Sequence, residues 1–265
     1  MTRILGSLLT IGLGLGFALG GTAHANPPDT LDVPDDTRQP SSVEVTRLLP
    51  NTTSAVVGTT PALTAAWAGY DGAAQTPVMS LGTEVRLVRR LAIVAGVAYG
   101  NAHASESGLR PQLGVRLQLL QQRASGVDAS AGFAFREDRF TAEDGLFQGE
   151  LAVGRSFGET SAVVNVLYGQ DGEGDDHEGE LRVAGVRRVW RGLHVGAEGR
   201  YMHSLDSTDP HRQALGTPSM EAMAGPVLAY MTGSWGFLAE LGVSMRQTNR
   251  LETGVAKLGG LATTF

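Results

Sequence analysis

Residues 79–99 read MSLGTEVRLVRRLAIVAGVAY, and they alternate between apolar and polar or small side chains. The apolar face of the first arm carries Met79, Leu81, Val85 and Leu87. The opposite face carries Ser80, Gly82, Glu84 and Arg86. After Arg89-Arg90, a second arm resumes the apolar face with Leu91, Ile93, Ala95, Val97 and Tyr99. Alternation with a period of two on both sides of a short turn predicts a β-hairpin.

The same alternation recurs in about twelve segments, of which the opening one, residues 54–68, is the weakest. Short connectors are expected at 89–90, 121–125, 158–159, 191–192 and 232–236. Longer polar connectors are expected at 69–76, 101–108, 137–145, 170–179, 205–217 and 248–251. Short turns that alternate with long connectors predict an all-β fold, a transmembrane antiparallel up-and-down β-barrel of about 12 strands.

If the chain spans a membrane, it must do so with strands that form a closed sheet. After residue 25, no stretch reaches the ~18–20 continuous apolar residues that a spanning helix needs. Lipid cannot satisfy the backbone of an open sheet edge, so a membrane protein without such helices must close its sheet. The mean hydropathy of -0.04 agrees, because half of each strand would face a polar interior. A soluble β-sandwich is the alternative, but it would usually have shorter strands and no paired aromatic bands.

The aromatic residues test this threading independently. If odd-numbered strands run outward, one group lies on the lipid face near the external rim: Trp67, Tyr99, Phe135, Phe147, Tyr168 and Tyr201. A second group lies near the periplasmic rim: Phe157, Tyr230, Phe237 and Phe265. Two such girdles are typical of outer-membrane barrels, because amphipathic rings prefer the interfacial level.

Three regions are expected along the chain. Residues 1–25 have the features of a signal peptide, with Arg3, an apolar Leu/Gly-rich run and the cleavage pattern Ala23-His24-Ala25. Residues 26–52 are rich in Pro, Asp, Thr and Ser and predict a flexible periplasmic segment. Residues 53–265 form the predicted barrel.

Charge and cysteine content exclude some classes of protein. Without the leader, 20 basic and 27 acidic residues give a net charge of -7, which argues against nucleic acid as a partner. The chain has no cysteine, and this excludes a disulfide scaffold and a thiolate metal site.

The last segment places Val255, Gly259, Leu261, Thr263 and Phe265 on one face. It resembles the closing strand of bacterial outer-membrane β-barrel proteins, which usually ends in phenylalanine. The resemblance implies outer-membrane lipid and the outer-membrane assembly machinery as partners, with Phe265 as the assembly signal. Lys257 departs from the pattern, since the same alternation places it on the lipid face; a bulge, snorkelling or a shifted register would each explain it.

The inward face of the threaded barrel is charged. We expect twelve ionisable residues to line the interior: Glu84, Arg86, Arg116, Arg136, Glu150, Arg182, Arg188, Glu198, Arg200, Glu221, Glu240 and Arg246. They either pair with one another and close the lumen, or line a narrow aqueous channel. Twelve strands make a wider barrel than side chains alone fill, although inserted loops or the N-terminal segment could plug it.

Two patterns suggest enzymes instead. His103-Ala104-Ser105 matches the His-x-Ser spacing of outer-membrane lipases and lipid A deacylases, in which the imidazole activates the hydroxyl; the asparagine that follows the serine there is Glu106 here. Asp209-Pro210-His211 resembles the Asp-x-His of omptin-type aspartyl proteases, although a proline stands inside it. Both pairs fall in polar connectors, where such residues are usually solvated.

The acidic connector 170–179 raises one further option, a calcium site that uses Asp171, Asp175 and Asp176. Its spacing does not match an EF-hand loop, so we expect no metal. No phosphate-binding loop, nucleotide fingerprint or zinc motif occurs, and we expect no cofactor.

Together these observations predict a protein of the bacterial outer membrane. It would be a narrow porin-like channel, with small solutes as partners, or a structural surface protein. The alternatives are an outer-membrane hydrolase and an adhesion or recognition role for the external loops.

Overall fold

The computed structural model describes residues 45–49, 52–57, 62–73, 76–101, 107–136, 145–172, 174, 177–206, 218–248 and 250–264. All of them belong to one compact unit, Thr37–Phe265. Within this described part, no helix is long and apolar enough to cross a membrane.

The described part of this unit contains twelve strands and a short helix between two of them. The strands are β1 (Ala62–Asp71), β2 (Thr76–Val88), β3 (Leu91–Asn101), β4 (Ser107–Leu120), β5 (Asp128–Arg136), β6 (Leu146–Phe157), β7 (Thr160–Asp171), β8 (His177–Trp190), β9 (Leu193–Ser204), β10 (Met220–Thr232), β11 (Trp235–Gln247) and β12 (Leu251–Thr264). The helix, α1 (Gln122–Ser125), lies between β4 and β5.

Each strand pairs antiparallel with the next, and β1 pairs with β12, so the sheet closes. The predicted up-and-down barrel of twelve strands is therefore confirmed. We call the end with the short connections, such as Arg89-Arg90 between β2 and β3, the turn side. The opposite end, which carries the long connectors, is the loop side.

Alternation along each strand sorts side chains between the two faces. In β11, Leu238, Glu240 and Ser244 are buried in the barrel, whereas Leu241 and Val243 are 55% and 58% exposed on its outside. A barrel that exposes aliphatic side chains on its whole outer face is stable in hydrocarbon, because its closed ladder leaves no unpaired edge. The described structure is therefore a transmembrane barrel.

Lys257 lies on this outer face, as the alternation predicts. It is opposite Tyr70 on one side and Leu241 on the other. The pairing of β11 with β12 runs without a shift from Leu251 to Thr263, so neither a bulge nor a register error accounts for the lysine.

The first strand differs from its prediction. The opening strand was expected at residues 54–68 with Trp67 on the lipid face, but β1 begins at Ala62 and Trp67 lies inside the barrel. The reason is a contact that local alternation does not encode: the indole Nε1 donates to the carbonyl of Leu48, 2.9 Å away. A Cβ at the neighbouring Gly260 would lie 2.5 Å from the indole, so only glycine leaves room for the ring.

The other aromatic predictions that fall on described residues agree with the structure. Tyr168 and Tyr201 are exposed on the outside toward the loop side, and Phe157, Tyr230 and Phe237 toward the turn side. Phe265 lies outside the described residues.

Candidate functional site

The candidate site is the lumen. The structure places the predicted interior charges on the inward face of the strands, where Glu84, Glu198, Arg200 and Glu240 are buried. Their position agrees with the alternation; that they line a conducting pore stays a prediction. The structure also shows what shares the lumen with them.

The turn-side part of the lumen is occupied by the chain itself. We call residues 45–49 and 52–57 the lumen segment. Val45, Leu48, Leu49, Ala55 and Val57 are all at most 4% exposed. The lead-in 26–52 was expected to be a flexible periplasmic segment, but its described residues 45–49 and 52 lie inside the barrel instead.

Two side-chain amides of the wall hold the backbone of the lumen segment. Asn165 in β7 accepts from the Thr53 N–H at 2.8 Å and donates to the Thr53 carbonyl at 2.7 Å. Gln118 in β4 accepts from the Val57 N–H at 2.6 Å and donates to the Ala55 carbonyl at 3.0 Å. Each amide satisfies both main-chain groups of the segment that face it, as buried backbone requires.

Charged side chains of the barrel wall also attach the lumen segment. The Glu84 carboxylate in β2 pairs with Arg47 of the lumen segment at 3.1 Å and with Arg116 of β4. Arg116 also donates to the Ser54 carbonyl, and Thr52 donates to the Glu198 carboxylate in β9. One buried carboxylate thus ties the segment and the wall together.

An apolar layer completes the contact. The buried cluster joins four residues of the segment, Val45, Leu48, Leu49 and Ala55, to inward residues of the wall: Leu63, Ala65, Ala152, Val163, Ala184, Val186, Val227, Ala229, Met231, Leu238 and Ala262. This cluster is the hydrophobic core of the protein, and it lies inside the barrel.

Above the lumen segment, on the loop side, an arginine-rich cavity opens. Its lining includes seven arginines, Arg47, Arg110, Arg116, Arg136, Arg182, Arg200 and Arg246, and four carboxylates, Asp71, Glu84, Glu150 and Glu221. Residues 52–54 of the lumen segment also line it. We call this space the loop-side cavity; its lining is positive although the whole chain is negative.

Ion pairs connect the strands around this cavity. Glu180 lies 2.7 Å from Arg182 and 3.6 Å from Arg200, and Glu221 lies 3.0 Å from Arg200 and 3.7 Å from Arg246. Two carboxylates therefore serve three guanidinium groups. Pairing of this kind lets buried charges persist, and the arginine excess leaves the cavity cationic.

The sequence suggested four catalytic residues and three calcium ligands. His103, Ser105, Asp209 and His211 all lie outside the described residues. Of the candidate calcium ligands, Asp175 and Asp176 also lie outside them, whereas Asp171 accepts from the Gly174 N–H at 2.6 Å. Within the described ranges, no group of three or more His, Cys, Asp or Glu side chains is arranged to hold a metal ion.

Sequence reasoning missed several residues of the lumen. Arg47 escaped because it was assigned to the lead-in, although it stands among Val45, Leu48 and Leu49, an apolar group unusual for a disordered segment. Arg110 and Glu180 share the inward alternation of their strands and could have been found by it.

The fold was compared with proteins of known sequence and structure. No family model matches the chain, and no curated protein matches it. The KdgM porin superimposes with a TM-score of 0.54 at 11% identity, covering 77% of this chain and 99% of that one. The NanC porin gives a TM-score of 0.55 at 12% identity, covering 76% and 98%. A KdgM porin in complex with disordered oligogalacturonate gives 0.53 at 11%, covering 77% and 99%.

At these identities the likeness concerns the fold. This chain therefore has the twelve-stranded barrel fold of bacterial outer-membrane porins, and its apolar outer surface places it in outer-membrane lipid.

Proposed function

We propose that the protein is an outer-membrane channel for small anionic solutes, which enter through the loop-side cavity. The observation that carries the proposal is the lining of this cavity, where seven arginines face four carboxylates. A narrow lumen walled by protein concentrates the field of such charges and raises the local concentration of anions.

The external connectors have the opposite sign. Residues 137–145 and 170–179 together hold nine acidic residues and one arginine. Their sequence does not change the sign of the cavity, where charges enclosed by protein are screened much less than charges in open solution. Selectivity therefore follows the arginines of the cavity.

One neighbouring structure supports the same class of solute. One KdgM porin structure is a complex with oligogalacturonate, a chain of sugar acids. Planar carboxylates match the two-pronged donor geometry of arginine, so a cavity with several guanidinium groups suits a sugar acid better than a neutral sugar.

Selectivity can be measured in planar bilayers under a potassium chloride gradient. The reversal potential is expected to show that chloride permeates better than potassium. The reversal potential reports this preference even when channel openings are rare. The double substitution Arg110→Gln and Arg136→Gln should lower the chloride-to-potassium permeability ratio at least fivefold, because two unit charges roughly 8 Å from the ion in water contribute about 1 kcal/mol to chloride alone. Arg136 donates to the side-chain oxygen of Gln148 at 2.8 Å, and glutamine at position 136 keeps a donor group for this bond.

The matched control neutralises Arg89 and Arg90 together. They carry the same charge but lie exposed in the turn between β2 and β3. This variant should keep the reversal potential of the unmodified protein. Preference for potassium, or complete electrical silence of correctly inserted protein, would contradict the proposed channel.

Two further roles belong to the same proposal. Residues 1–25 direct export and are removed after Ala25, and the assembly machinery recognises the closing strand with Phe265. The position of β12 supports the second role, because this strand pairs with both β11 and β1 and so completes the barrel.

A further inference from the structure

The barrel wall is complete without the lumen segment. All twelve strands are hydrogen-bonded to two neighbours in a closed ring, and no described residue of the lumen segment belongs to a strand. The segment therefore adds nothing to the ladder that closes the sheet. Its removal would break no strand pairing, unlike the removal of any part of β1 to β12.

The polar attachments of the segment are made by wall side chains. Trp67, Glu84, Arg116, Gln118, Asn165 and Glu198 supply them, and these residues come from five strands. Five of the six are amides or ionic groups, which water hydrates readily when a protein partner leaves. The apolar layer around Leu48 opposes release, so the occupied state is favoured at rest.

We propose that the lumen segment is a releasable plug: it docks in the lumen, closes the channel, and opens it by leaving its site as a unit. The inference rests on the proposed channel function. The link between Val57 and Ala62, where β1 begins on the turn side, is short. Five residue steps span at most about 18 Å, so a released segment stays close to the turn side and rebinds.

The geometry supplies a direct test on the full-length protein. A Cβ placed on Gly154 would lie 3.0 Å from the Cβ of Ala55. Disulfides join Cβ atoms about 3.5–4.5 Å apart, so a small adjustment of the lumen segment, which belongs to no strand, permits the bond in an Ala55→Cys, Gly154→Cys variant. The protein has no native cysteine, so no other thiol competes.

Conductance in planar bilayers is the first measurement. The double variant should conduct under reducing conditions and fall silent after oxidation, with recovery when reductant returns. Each single variant should conduct regardless of redox conditions. Equal conductance of the oxidised and reduced double variant, with the disulfide verified by mass, would overturn the plug.

Thiol labelling separates failure of the plug from failure of the channel. In the Ala55→Cys variant, position 55 is buried while the segment is docked, because Ala55 is 3% exposed. A water-soluble maleimide should therefore label it slowly and only upon release. Absence of labelling in the folded barrel would refute release, whatever the conductance. Labelling without any conductance would mean that the segment is released but that the protein is not a channel.

Loosening the site should accelerate release. Asn165→Leu, in the Ala55→Cys background, keeps the branched shape of the side chain but removes both hydrogen bonds to Thr53. Labelling at position 55 is expected to become about tenfold faster or more, since each bond contributes a net factor of several.

The chain offers a matched control in Gln122→Leu. Gln122 makes the same two-bond amide contact, but with the main chain of Ser156 on the barrel wall, at 2.7 Å and 2.8 Å. The Gln122→Leu substitution should leave the labelling rate at position 55 unchanged. An equal effect of the two substitutions would show general loosening of the barrel and count against a specific docking site.

Discussion

Replacing Glu84 by glutamine is expected to destabilise the protein by about 3 kcal/mol, because removal of one partner from a buried ion pair leaves the other charge uncompensated. The Glu84 carboxylate serves two guanidinium groups, those of Arg47 and Arg116. All three side chains are at most 10% exposed. The substitution keeps the shape of the side chain and removes only its charge.

The loss can be measured by urea unfolding in lipid vesicles, followed by tryptophan fluorescence. Glu159→Gln is the control: Glu159 pairs with Arg188 at 2.6 Å in a turn, and its side chain is 52% exposed. Exposed pairs contribute at most about 1 kcal/mol, so the unfolding midpoint should barely move. Equal shifts in the two variants would mean that water reaches Glu84.

A second substitution tests whether the uncompensated arginines cause the loss of stability. Adding Arg47→Gln to Glu84→Gln removes one of the two uncompensated cations and should restore part of the lost stability. Residues in one ion-pair network couple in this way, whereas independent sites simply add. Additive losses would therefore show that Arg47 and Glu84 do not interact in solution.

The periodic signal of the strands made the fold predictable from sequence. Lipid on one side and lumen on the other impose a strict alternation on every strand, so residues 79–99 are sufficient to predict β2 and β3 to within a few residues. The same constraint placed Lys257 correctly on the outer face, although its chemistry argued otherwise.

The lumen segment was not predictable in the same way. Thr53 bonds to Asn165, a residue 112 positions away, and Val57 bonds to Gln118, 61 positions away. Local periodicity carries no information about such partners. The composition of the lumen segment, rich in threonine and interrupted by Pro50, predicted instead a flexible lead-in followed by a weak strand.

The interior charges were predictable from the sequence in their position but not in their pairing. Alternation identified Arg182, Arg200 and Glu221 as interior, but it does not say which guanidinium group shares which carboxylate. That pairing depends on the register between neighbouring strands, such as Arg182 opposite Arg200 in β8 and β9. The two arginines lie directly opposite each other, and Glu180 bridges them.

The membrane environment of the outer face gives the second large effect. Val183 lies near the middle of β8, is 43% exposed on the outside and pairs with Val164 of β7. Val183→Arg should cost about 2–4 kcal/mol, the range measured for arginine at the bilayer midplane of outer-membrane barrels. Unfolding in lipid vesicles provides the measurement.

Val189→Arg is its control, because Val189 is the same residue type in the same strand and is 51% exposed beside the turn. Arginine near the membrane interface costs only about 0–1 kcal/mol, since the guanidinium group reaches water. The difference between the two variants isolates the depth of the site from the loss of a valine. If both variants were as stable as the unmodified protein, Val183 would face water, and the barrel would not be embedded at the level of β8.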